Sequence, residues 1–149
     1  MNDLKKGIVE VCLATAGKDA EFFWKEAQTG GWGNPKFRNG RWQPWCAVRA
    51  SYCVWKASNG IVRLGQGLKA GYRGVYRTGA ASVPVLLEWS KKGGAFSPIP
   101  APGMQVLVEV CRHKGWTGVP NHIATCIGLR TDEDGNIVDV ICQDGNYGG

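Results

Sequence analysis

Residues 122–144 read "HIATCIGLRTDEDGNIVDVICQD". Two runs rich in β-branched residues, 122–131 and 137–144, flank Asp134-Gly135-Asn136. Gly and Asn tolerate left-handed backbone, so this reads as a hairpin with a tight turn. Working back, "MQVLVEVC" at 104–111 has the same two-residue alternation and reads as a third strand. "SPIPAPG" (97–103) just before it is an extended linker, because proline cannot donate to a central strand.

The first two thirds of the chain follow a different period. Residues 2–16 place Leu4, Ile8, Val11, Cys12 and Thr15 on one helical face, with Asn2 or Asp3 as cap and Gly17 as stop. Residues 18–28 form a second helix crowded with Phe22, Phe23 and Trp24. After a Gly-, Asn- and Pro-rich loop, a third helix runs from Trp45 or Cys46 to about Ser58, led in by Pro44 and ended by Asn59-Gly60. "SVPVLLEWSKK" reads as a short capped helix, ended by Gly93-Gly94. Residues 61–81 are Gly-rich and match no pattern. Helices first and an antiparallel sheet second make an α+β domain, not a parallel βαβ sheet. The 149 residues suit one domain able to bury its own core.

The net charge of +6 fits an anionic partner, but Lys and Arg form only the doublets Lys5-Lys6 and Lys91-Lys92. That scatter argues against a nucleic-acid stripe. No apolar run approaches the roughly 18 residues of a membrane span. "GIVEVCLATAG" after Lys5-Lys6 imitates a signal peptide, but Glu10 interrupts it. The expectation is synthesis in the cytoplasm without a signal peptide. The six cysteines lie in apolar periodic segments, which favours buried reduced thiols over a disulfide framework. No C-x-x-C pair is present, so no metal and no cofactor is expected.

Cys46 stands apart because it opens a helix. Unpaired N–H groups and the helix dipole there favour a thiolate and can hold an oxyanion. Such a nucleophile needs an imidazole to take its proton. Of the two histidines, His113 lies in a polar loop, whereas His122 starts a strand and shares a face with Ala124 and Cys126, placed to face a helix. With Asp134-Gly135 as the turn, Glu133 faces Asn136 and His122 falls opposite Tyr147. A bulge brings Asp144 and Asn146 within reach of the ring, where either can orient it.

In this order "QPWCAVRASYC" (43–53), with "GNPKF" upstream and then "APGMQVLVEV", "NHIATCIGL" and "QDGNYGG", resembles CHAP domains. These are cysteine- and histidine-dependent amidohydrolases/peptidases related to NlpC-type, papain-like enzymes. The resemblance covers roughly residues 30–149. It implies a papain-like fold with N-terminal helices packed on an antiparallel sheet. It also implies catalytic Cys46 and His122, with Asp144 or Asn146 orienting the ring. Asn146 or the Cys46 N–H would help at the oxyanion. The implied reaction is hydrolysis of an amide bond of peptidoglycan through a thioester, as in phage endolysins. A monomer with a downstream wall-binding domain is the implied architecture. Trp45 would shield the nucleophile, and Trp32, Trp42 and Trp116 would line the cleft. Arg49, one turn beyond Cys46, departs from the family's apolar residue and either holds a substrate carboxylate or points to solvent. Asn121 replaces a more usual Gly at little harm, and Asp144 replaces a more usual Glu. Two other readings fit the same residues: a non-catalytic wall-binding module, and a cysteine hydrolase acting on a protein amide.

Overall fold

Side-chain oxygens start the first two helices. Asn2 Oδ1 accepts from the Lys5 N–H at 2.8 Å and opens α1 (Asp3–Ala14). Asp19 Oδ1 accepts from the Phe22 N–H at 3.2 Å at the head of α2 (Ala20–Gln28). Each satisfies an N–H that the helix itself cannot. The computed structural model describes residues 2–28, 35–69, 74–93, 97–110 and 115–145.

The third helix, α3 (Cys46–Ala57), is the centre of the molecule. Every residue from Cys46 to Val54 is buried, so it is enclosed on all sides rather than laid on a surface. One cluster joins its Val48, Tyr52 and Cys53 to Ile8 and Cys12 of α1 and to Phe23 and Trp24 of α2. The other joins Cys46, Ala47 and Ala50 to Val75, Ala80, Val83, Leu86 and Ile123.

The stretch without a sequence pattern contains a small hairpin, β1 (Val75–Tyr76) and β2 (Gly79–Ala80). Gly79 has φ +128°, and a Cβ there would lie 2.7 Å from Leu64 O and 3.1 Å from Ser51 Cβ. Only glycine lets this hairpin lie so close to α3. Helix α4 (Val83–Gly93) follows, with Val83, Val85 and Leu86 buried. The linker then runs beneath α1. At Gly103, with φ +89°, a Cβ would sit 2.6 Å from the Lys5 backbone.

The main sheet is antiparallel with order β3-β4-β5: β3 (Gln105–Val108), β4 (His122–Thr131) and β5 (Ile137–Asp144). The chain is therefore α+β, with four helices and two small antiparallel sheets among the described residues. The turn between β4 and β5 is longer than the tight turn expected. It spans residues 132–136, and Asp132 Oδ1 accepts from the N–H groups of Asp134 and Asn136. Register shifts at Arg130/Thr131 and at Cys126/Gly128 then set Ala124 opposite Asp144. Cys126 is fully buried, but Cys142 across from it is exposed, against the expectation of a buried thiol. No described cysteine forms a disulfide. No helix among the described residues is long and apolar enough to cross a membrane.

Candidate active site

Cys46 is the first residue of α3, is buried, and follows Trp45, which gives the helix no side-chain cap. The first turn of α3 closes with Arg49 N–H on Trp45 O at 3.0 Å. The sulfur thus lies where the N–H groups of the helix lack side-chain competition, the position that favours a thiolate.

His122 and Asp144 are brought together. His122 Nε2 lies 2.8 Å from Asp144 Oδ2, with the His122 side chain 5% exposed and that of Asp144 28%. Because Ala124 pairs with Asp144, the carboxylate projects on the face that also carries His122, one step diagonally away. A carboxylate on Nε2 holds the ring proton there and makes Nδ1 the basic nitrogen.

Contacts between chain neighbours connect this pair to Cys46. A cavity of about 250 Å³ is lined by Cys46 and by Asn121, the residue before His122. Trp24, Gln43, Pro44, Ala81, Ser82 and Pro84 form much of the rest. On the other side Gly145, next to Asp144, lies flat against Trp45, next to Cys46. A Cβ at Gly145 would meet the indole at 2.7 Å.

Every residue of β4 from His122 to Cys126 is buried. Ile123 shares the cluster of Cys46, and Ile127 packs against the α1–α2–α3 cluster. Asn121, and not His122, is among the described residues that line the cavity of Cys46, and His122, Ala124 and Cys126 are buried as well.

The segment leading into His122 is held by Glu109. Its carboxylate accepts from the N–H groups of Thr117 (2.8 Å), Gly118 (3.2 Å) and Val119 (3.1 Å), and from the Thr117 hydroxyl. The Thr117 hydroxyl bond above all, with the N–H bonds adding, pulls the Glu109 carboxyl below its usual range.

The expected substrate-binding residues fare differently. Arg49 is 3% exposed and neither solvent-directed nor in the cavity of Cys46. Its Nη2 donates to Cys12 O at 3.2 Å and to Gln143 Oε1 at 2.8 Å, and its guanidinium lies 5.6 Å from the Phe23 ring. One turn along a helix buried on all sides points inward, which corrects both readings of Arg49. Trp45 is buried and stacks on Phe23, with centroids 5.6 Å apart, so it is a wall and not a contact surface. Trp42 pairs with Lys36 as an isolated bridge and carries the Lys36 Nζ 4.5 Å over its ring. Trp116 is 70% exposed. Neither lines the cavity of Cys46. Asn146, Trp32 and His113 lie outside the described residues. Sequence reasoning missed Trp24, Gln43 and Asn121, although Asn121 stands beside the chosen histidine.

A larger cleft of about 630 Å³ lies between α1, α4 and β3, lined by Leu4, Ile8, Leu86, Trp89, Met104 and Leu107 among others. Among the described residues no cysteine, histidine or carboxylate lines it. Among the described residues no three His, Cys, Asp or Glu side chains group to hold a metal. Comparison with protein-family models, curated proteins and solved structures returns no match.

Proposed function

We propose that this domain hydrolyses an amide bond by cysteine nucleophilic catalysis, with Cys46 as nucleophile, His122 as base and Asp144 orienting the imidazole. The observation that carries the reading is the contact of the buried His122 with the half-buried Asp144 at 2.8 Å. It stands at the head of the strand whose preceding residue shares a cavity with Cys46. A solvated structural histidine needs no carboxylate on one ring nitrogen, and a packed thiol needs no uncapped helix start. Together they make the acid–base–nucleophile set of acyl transfer.

In this reading His122 Nδ1 takes the thiol proton as Sγ attacks the carbonyl carbon. The leaving amine takes that proton as the carbon–nitrogen bond breaks. Water then hydrolyses the thioester and restores the thiol. The fold belongs to the papain-like group that the CHAP-like motifs imply. The substrate is peptidoglycan, cut within its peptides or between sugar and peptide, as in phage endolysins. The domain acts on the bacterial wall after release or delivery, as a monomer beside a downstream wall-binding domain. The motif order from Pro44-Trp45-Cys46 through Asn121-His122 to Asp144-Gly145 supports that substrate class.

The test uses purified peptidoglycan and mass spectrometry of released fragments. Wild type releases new amino termini, and folded Cys46→Ala and His122→Ala proteins release none. Full release by folded Cys46→Ala sinks the proposal. A non-catalytic wall-binding module would sediment with peptidoglycan and release nothing in any form. A hydrolase of protein amides would react at Cys46 with alkylating reagents and leave the wall intact.

A further inference from the structure

We propose that Asn121 is a second donor to the reacting carbonyl oxygen, beside the backbone N–H of Cys46. This rests on Cys46 being the nucleophile. Asn121 lines the cavity that Cys46 lines, and its position is fixed from two sides. Its backbone N–H donates to Val108 O at 3.0 Å, and its Oδ1 accepts from the Val110 N–H at 2.8 Å. The second bond decides which end of the amide remains. Oδ1 is engaged, so Nδ2, with two N–H donors, is the end left to a ligand. A donor held by its own carbonyl needs no reorientation as charge develops, the condition under which such a group stabilises a transition state.

The rest of the cavity strengthens that bond. Trp24, Pro44, Ala47, Ala81, Val83 and Pro84 are apolar, Gln43 and Ser82 are neutral, and among the described residues no charged side chain lines the space. In such surroundings an N–H to an oxyanion counts for more than in water, and a small neutral acyl group fits better than a charged one. As Sγ bonds to the carbonyl carbon, the π pair moves to oxygen and the thiol proton goes to His122. When the carbonyl re-forms, the bond to the leaving group breaks. Asn121 acts on the oxygen while it carries the charge.

The bland alternative gives Asn121 only its bond to Val110. Asn121→Asp separates the two, since it keeps the size and an acceptor for the Val110 N–H but removes the donor. The probe is N-acetyl-alanine 4-nitrophenyl ester, followed by nitrophenolate release and by the acyl adduct mass on Cys46. In parallel, Cys46 is alkylated with iodoacetamide, in which sulfur displaces iodide from carbon and no oxyanion forms. The ratio of acylation to alkylation rates cancels any change in thiolate population caused by the new carboxylate. The expected result is a fall in that ratio of about 100-fold. An unchanged ratio overturns the role of Asn121 and leaves Cys46 as nucleophile. A wild-type protein acylated on other cysteines but not on Cys46 overturns both.

Discussion

Replacing Arg49 by Met should cost stability and leave the chemistry of Cys46 alone. Met keeps most of the volume and a soft atom near Phe23, and removes the guanidinium. Two bonds are lost, to Cys12 O at 3.2 Å and to Gln143 Oε1 at 2.8 Å. Bonds from a charged donor contribute about 1.5–3 kcal/mol each, so the loss is about 3–6 kcal/mol. An offset comes from Arg49 Nη1, which is buried without a hydrogen-bond partner. Removing an unsatisfied buried donor returns about 1–3 kcal/mol. The net is about 0–5 kcal/mol of destabilisation, centred near 2–3, and at this chain length each kcal/mol moves the melting midpoint by about 2–4 °C. Urea unfolding followed by tryptophan fluorescence, with the alkylation rate of Cys46, measures both halves. An unchanged midpoint together with a raised KM for wall fragments refutes the reasoning and returns Arg49 to the substrate.

Three further outcomes follow from the same geometry. The Cys53 thiol's hydrogen bond pulls the Cys12 thiol down to about 6 against burial, with the Arg49 charge adding to the pull. A lowered folded value gives stability that is present above the unfolded thiol range and is lost as pH falls toward 6. The urea midpoint should therefore rise from pH 6 to pH 8, and Cys12→Ala should flatten that rise. Gly145→Ala puts a Cβ 2.7 Å from the Trp45 indole, which is already stacked on Phe23. Overpacking of this kind costs about 1–3 kcal/mol, so the unfolding midpoint should drop and Cys46 should alkylate more slowly. Asp144→Asn keeps a partner for Nε2 but removes the charge that favours the imidazolium. Loss of a charge-assisted bond of about 1.5–3 kcal/mol should lower kcat/KM roughly 10- to 150-fold, measured as amino groups released from peptidoglycan.

The helices and the sheet were legible because their signals are local. Asn2 is a cap, Asn59-Gly60 ends α3, and the alternation of 122–131 and 137–144 is plain. That Asp144 or Asn146 would come within reach of His122 was legible, because hairpin register needs only a turn and a count; the choice between them was not. The exact turn was not, because the Asp132 carboxylate, by binding two N–H groups, builds a five-residue loop. Two opposed register shifts then land Asp144 beside His122. The hairpin at residues 75–80 was hidden because its strands are two residues each and its place is set by Gly79 against Ser51. Arg49 was misread because its partners lie 37 and 94 residues away. Nothing in a helical pattern distinguishes a charged side chain that bonds a distant carbonyl from one that meets solvent.

The start of α3 is the point where local rules and the site conflict. A side-chain cap contributes about 1 kcal/mol, and α1 and α2 both use one. The most buried helix among the described residues goes without, because Trp45 occupies the cap position and is committed to Phe23 and Gly145. An oxygen there would take the N–H groups of the first turn and leave fewer for a thiolate or an oxyanion. Neighbouring positions offset the missing cap. Trp45 fastens the helix start to the residue after Asp144, and Asn121 and Glu109 fasten the strand that carries His122. Local consistency given up at one helix end, with rigidity supplied by the elements around it, is the pattern expected of a functional site and not of a packed core.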